Sequence, residues 1–199
     1  MARGVNWIKA YADKIEAGEI VTSKRVRKVY ARLVYDMDNP GKYRFDEAKA
    51  NRPIEFIERF CKHSKGEWAG QPVRLELFQK AFISALFGFV DSETGLRKYR
   101  EAFFMVARKN GKSTMLAGIA LYLLLADGEA GAEIYSVATK KDQAKIIFDE
   151  TCNMVAQSPY LRKHIRKRKS DLSGCYEQDS SPGQEQRHPG RLERFGHHH

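Results

Sequence analysis

Residues 111–114 read Gly-Lys-Ser-Thr: a glycine, a cation and two hydroxyls in a row. These are the parts of a phosphate cradle. Gly111 reaches backbone conformations barred to bulkier residues, so that neighbouring amides can converge on an anion. Lys112 is long enough to reach the β and γ phosphates of a nucleotide, and the Ser113 hydroxyl suits Mg²⁺. Arg108, Lys109 and Asn110 add donors just upstream. The usual pattern, G-x-x-x-x-G-K-[ST], places glycine where this chain has Val106. Residues 106–114 are therefore either a nucleotide loop with an altered front half or a strand-to-helix turn that carries surface cations.

The flanking elements weigh on that choice. The run YREAFFMVA (99–107) is short, apolar and aromatic, which predicts a buried strand. STMLAGIALYLLLA after the loop predicts a buried helix, and DGEAGA breaks it. EIYSVAT (133–139) predicts a second buried strand. KKDQAKIIFDETCNMVAQS predicts an amphipathic helix with Ala144, Ile147, Phe148, Cys152 and Val155 as its apolar stripe. Strand, loop, helix, strand and helix in succession predict the start of a parallel α/β sheet. A strand that delivers the chain into a loop at a helix N-terminus is the setting a phosphate site requires.

The first third reads as helical. Trp7, Ile8, Tyr11 and Ile15 recur at helical spacing up to Gly18. Ser23 caps a second helix with Val26, Val29, Tyr30, Leu33 and Val34 on one side. DNPGKY (38–43) is a turn, and residues 46–60 form a third helix. HSKGEWAGQPVRL is loop, and Leu77 to Phe89 is a further helix. Phe78 and Gln79 stand at its start. An aromatic ring stacks on a base and an amide both donates to and accepts from an adenine edge, although an isolated glutamine there also fits a plain helix surface.

A net charge of +10 favours a polyanionic partner, most simply nucleic acid, or else a solvated basic surface. The run RKHIRKRK (162–169) fits either DNA phosphates or a solvated helix end. Cys61, Cys152 and Cys175 are an odd number and lie far apart, which predicts reduced thiols rather than a disulfide framework. Cys61 with His63 is a lone pair of potential ligands, better read as a buried thiol than a metal site. The start has no signal-peptide core, and the longest apolar run, Met115 to Ala126, is too short to span a bilayer. The expectation is a soluble protein of the cytoplasm with no membrane partner.

Taken together, three stretches resemble the large terminase subunit of tailed phages. RPIEFIERFCKHSKGEWAGQPVRLELFQKAFISALFGF (52–89) is similar to the segment before that family's ATPase core. FFMVARKNGKST resembles its altered phosphate loop, in which the first glycine is replaced and an arginine sits early. IYSVATKKDQAKIIFDE resembles the next strand and helix. The resemblance implies a P-loop NTPase, here an incomplete parallel sheet preceded by a helical region, that binds ATP and Mg²⁺. It implies that Phe78 and Gln79 read adenine and Lys112 holds the β and γ phosphates. Ser113 would hold Mg²⁺, and Lys109, Asn110, Gly111 and Thr114 would complete the cradle. Arg108 would act as an arginine finger within the same chain. The partners implied are double-stranded DNA, a terminase small subunit and the capsid portal, in the host-cell cytoplasm.

Three regions follow: helical 1–70, a partial ATPase core 71–170, and an aberrant or disordered tail 171–199. A hydrophobic strand ending in Asp-Glu, which an ATPase needs, does not follow residue 150, and neither do the acidic residues of a nuclease. Little or no turnover is expected from this chain. Codons for the residues from Arg187 onward, read one nucleotide later, permit Gly-Thr-Leu-Asp-Gly-Leu-Asn and then Val-Ser-Ala-Ile-Ile. The expectation is a frameshift near Ser180–Pro182, and the rival is an engineered tail ending in His197–His199. The competing functions are another P-loop translocase such as a helicase, and a non-catalytic basic DNA-binding module.

Overall fold

The computed structural model describes residues 4–129, 132–169 and 174–178, with side chains of Lys141 and of the residues after 165 left undescribed. Its contacts divide the chain into two units, one of residues 1–55 and 74–105, the other of residues 56–73 and 106–199. The tail 181–199, with its proposed frameshift, lies outside the described residues.

The first unit is built on α1 (Trp7–Glu16), α2 (Lys24–Asp38) and α4 (Leu77–Gly88). Asn6 caps α1 by accepting from the Lys9 N–H, and Ser23 caps α2 by accepting from the Val26 N–H. Helix α1 packs against both α2 and α4, and its apolar stripe, Ile8, Tyr11, Ala12 and Ile15, meets Tyr30, Leu33, Ala81 and Phe89 in one core. Each large side chain withdrawn from water there contributes about 1.5–3 kcal/mol. Val29, expected on the apolar side of α2, is 54% exposed. It lies off the 26, 30, 33, 34 stripe, which is the face one helical turn selects. Strands β1 (Tyr43–Phe45) and β2 (Phe89–Asp91) pair antiparallel, Tyr43 opposite Asp91.

Helix α3 (Glu47–Phe60) belongs in part to each unit and runs through Pro53. In the second unit its end packs on α5 (Lys112–Leu125), where Ile57 and Cys61 are fully buried. Between residues 61 and 73 the chain makes a braced hairpin around the 3₁₀ turn Gly66–Trp68, with Val73 N–H donating to the Cys61 carbonyl at 3.0 Å. Helix α5 packs on α6 (Lys141–Gln157). The buried side of α6 is Phe148, Thr151, Cys152, Met154 and Val155. It shares Phe148, Cys152 and Val155 with the expected stripe and adds Thr151 and Met154, while Ala144 and Ile147 are half-buried. The short α7 (Pro159–His164) leads into β3 (Ile165–Lys169), which pairs antiparallel with β4 (Gly174–Gln178).

Two expectations are corrected. Residues 99–107 and 133–139 are not strands, so the predicted parallel sheet is not formed among the described residues. The two ladders found there are both antiparallel. Each stretch keeps a strand's alternation: Phe104 and Val106 are half-buried while Phe103 and Met105 are 87% and 83% exposed. Ile134 and Ser136 are likewise half-buried beside exposed Tyr135 and Val137. Apolar alternation sets a side's preference, but a strand exists only where a neighbour takes up its N–H and C=O groups. Second, the basic run 162–169 is not a helix end throughout. The helix stops at His164 and Arg166–Lys169 continue as β3, paired with a β4 that falls in the stretch read as tail.

Candidate functional site

Residues 106–114 curl around a hollow of about 270 Å³, lined by Val106, Ala107, Arg108, Lys109, Gly111, Lys112, Ser113 and Thr114. Three of these are cations and none is an anion. The curl has a local cause. Lys109 and Gly111 both take the left-handed conformation, at φ 67° and 66°. For Gly111 this is free of steric cost, whereas for Lys109 it is a strained conformation worth about 1–2 kcal/mol. Left-handed residues in a tight turn are the kind of backbone in which anion nests form.

Gly111 is the N-cap of α5 and has no side chain to cap it. The first backbone bond of the helix runs from the Met115 N–H to the Gly111 carbonyl at 2.9 Å. The N–H groups of Lys112, Ser113 and Thr114 precede that bond and have no acceptor within the helix. They carry the positive end of the helix dipole. Ser113 and Thr114 are half-buried there, while Arg108, Lys109 and Lys112 extend into solvent.

Asn110 plays a part that sequence reading missed. Its backbone amide was expected in the cradle, but the side chain is what holds the loop. Asn110 Nδ2 donates to the carbonyl oxygens of Ala107 at 3.2 Å and Arg108 at 3.4 Å. These bonds tie the loop's two ends together across Lys109. A short polar side chain between two left-handed residues is the signal that could have disclosed it. Val106 and Ala107, which depart from the glycine pattern, line the hollow at its front.

The structure brings Arg108, Lys109, Gly111, Lys112, Ser113 and Thr114 together at one cavity. Phe78 and Gln79 stand in the first turn of α4, in the other unit. Gln79 is buried, not a surface glutamine, and its Oε1 accepts from the Glu76 N–H at 3.0 Å as one arm of a capping box. Phe78 is half-buried and stacks on Phe104, ring centroids 6.4 Å apart. Cys61 is buried, which pushes its thiol up to about 12 and makes it unreactive. No group of three or more metal-ligating side chains occurs among the described residues, and no helix there is long and apolar enough to cross a membrane.

The residues present fit a nucleotide's phosphates: unpaired amides at a helix start, three cations and a half-buried hydroxyl surround one hollow. Lys112 would hold the outer phosphates and Ser113 would take a place in the shell of Mg²⁺. That ion, when bound, supplies further positive charge against the phosphate oxygens.

Comparison with known proteins agrees with this chemistry. The family model described as "Terminase large subunit, ATPase domain" matches residues 77–174. The terminase large subunit of Enterobacteria phage HK97 is 38% identical over 118 residues, which make up 59% of this chain and 22% of that protein. The crystal structure of the HK97 bacteriophage large terminase matches with a TM-score of 0.53 at 35% identity, over 63% of this chain and 24% of the other. The match therefore spans less than a quarter of either relative.

Proposed function

We propose that this chain, whose residues 77–174 correspond to the ATPase domain of a phage terminase large subunit, binds ATP with Mg²⁺ through the 106–114 loop as part of a DNA-packaging motor. The observation that carries the proposal is the hollow itself: it is lined by Arg108, Lys109 and Lys112, closed by an uncapped helix start, and free of carboxylates. The loop's amides bind the phosphates, Lys112 holds the outer ones, and Ser113 serves the metal. Arg108 stabilises charge on the γ phosphate, an effect worth several powers of ten in rate where such arginines have been removed. Phe78 and Gln79 hold adenine, the aromatic ring stacking on the base and the amide reading its edge. In the whole protein the partners are double-stranded DNA, a small subunit and the capsid portal, and the setting is the host cytoplasm.

The alternation along 99–107 and 133–139 supports a finer reading of the fold. Given neighbours to take up their N–H and C=O groups, these stretches would form strands of a P-loop sheet. The hollow's own lining supplies no carboxylate to activate water, so this chain is expected to bind nucleotide with little or no turnover.

Thermal unfolding with and without ADP and Mg²⁺ tests the site. Ligand at 100 times its dissociation constant stabilises by about 2.7 kcal/mol. Lys112→Ala should abolish the shift. A shift of equal size from inorganic phosphate alone would favour a basic module that takes stray anions, and steady hydrolysis lost in Lys112→Ala would overturn the expectation of little or no turnover. In a complete large subunit, Arg108→Ala with unchanged hydrolysis would remove the arginine's role.

A further inference from the structure

We infer that the exposed face of α2 is a contact surface for the phosphate backbone of double-stranded DNA. The choice of DNA as the polyanion rests on the proposed packaging function; the surface itself rests on the charges. Lys24, Arg25, Arg27, Lys28 and Arg32 place five cations within nine residues that contain no anion. All five are exposed.

This arrangement works against the helix. Lys24, Lys28 and Arg32 stand one turn apart, about 6 Å, on one stripe. Like charges at that spacing cost about 0.2–0.5 kcal/mol per pair. Four of the cations also crowd the first turns of α2, where no acidic residue offsets the positive end of the dipole. Lys24, Arg25 and Lys28 have no ion-pair partner among the described residues, while Arg32 reaches Asp36 at 2.7 Å. Arg27 meets only the Ile15 carbonyl, at 3.5 Å. Repulsion of this kind is relieved by a ligand that brings regularly spaced negative charge, as a duplex does.

The opposite side of α2 rules the choice between polyanions. Tyr30 and Leu33 are buried in the core of the unit, with Val26 and Val34 packed against it. An amphipathic helix that lies on a membrane must present its apolar side to the lipid, and here that side is occupied. Tyr35, beneath the Arg32 guanidinium at 5.3 Å, remains exposed beside the cations.

The test uses the full chain and a fluorescein-labelled 30-base-pair duplex, titrated by anisotropy at several salt concentrations. The triple variant Lys24→Gln, Arg25→Gln, Lys28→Gln should bind at least about 10-fold more weakly at ~0.1 M salt, with a salt slope smaller by about 2–3. Its unfolding temperature should stay level or rise, because repulsion has been removed, and an arginine-lysine exchange at the same positions should retain binding. Should the triple variant not fold, Lys28→Gln alone should lower the slope by about 1. Unchanged affinity and slope would overturn the inference, as would binding to phosphatidylserine vesicles without binding to duplex. Lys112→Ala, by contrast, should lose the nucleotide shift and keep DNA binding, so the two sites fail separately.

Discussion

Asn110 Nδ2 lies 3.2 Å from the carbonyl oxygen of Ala107, and this bond spans the residue that carries the loop's strain, Lys109. The 106–114 loop is thus braced by an amide side chain. Asn110 is not among the residues that line the hollow. Asn110→Ala removes the brace without touching the hollow's lining. A net bond of about 1 kcal/mol predicts about 5-fold weaker binding of a fluorescent ADP analogue, with little change in unfolding temperature. Equal affinity in wild type and variant would show the brace to be idle.

Lys109 offers a separation of backbone from side chain. Glycine at this position would adopt φ 67° without strain, so Lys109→Gly should leave stability level or raise it by up to about 1 kcal/mol. The same change removes one cation from the hollow, so nucleotide affinity should fall. Lys109→Val, β-branched, should lose both stability and affinity. A fall in the unfolding temperature of Lys109→Gly would contradict the strained reading.

Gly118 sits against Ile57 where α5 meets the end of α3. A Cβ at Gly118 would lie 3.0–3.2 Å from three carbons of the Ile57 side chain. Such crowding in a packed core costs about 1–3 kcal/mol, and Gly118→Ala should show it in denaturant unfolding. Ile57→Ala alone leaves a cavity and should cost about 2–5 kcal/mol. The double variant should be more stable than the sum of the two losses, because each change relieves the other. Simple additivity would place the strain elsewhere.

Asp36 and Lys98 join α2 to the chain after β2, 3.0 Å apart. The hydrogen bond from Lys98 comes first among the causes that hold the Asp36 carboxyl below its ordinary value, opposed by burial and aided by the Lys98 and Arg32 charges. For Lys98, burial disfavours the ammonium, but its bonds to Asp36 and Tyr99 outweigh this and hold its pKa up. A depressed carboxylate contributes stability that is present above the unfolded value, about 3.9, and is lost as pH falls through the lower folded value. A raised lysine contributes below about 10.4 and loses its share as pH rises through the folded value. Unfolding followed from pH 7 to 2 should show the acid loss, reduced in Asp36→Asn, whose own cost at pH 7 is about 1 kcal/mol or less. An identical acid limb in the variant would remove Asp36 from that account.

Much of this was legible along the chain. Local signals end helices, so Ser23 and Gly111 mark starts that need only neighbouring residues. Helical periodicity picked out most of the buried stripe of α1 and part of that of α6, because one face of a helix is set by residues three and four apart. The candidate cradle residues, nearly consecutive from Arg108 to Thr114, line one hollow for the same reason.

What the linear order could not decide was pairing. Residues 99–107 and 133–139 have the composition of strands, but a strand depends on hydrogen bonds to a distant segment, and no local pattern reports whether that segment is at hand. Nor could spacing reveal that Val29 turns outward, that Gln79 is drawn into a capping box, or that Asn110 braces its loop with its side chain. Those outcomes depend on which groups meet in space. The residue types carry the chemistry, and the tertiary fold selects the partner each one answers to.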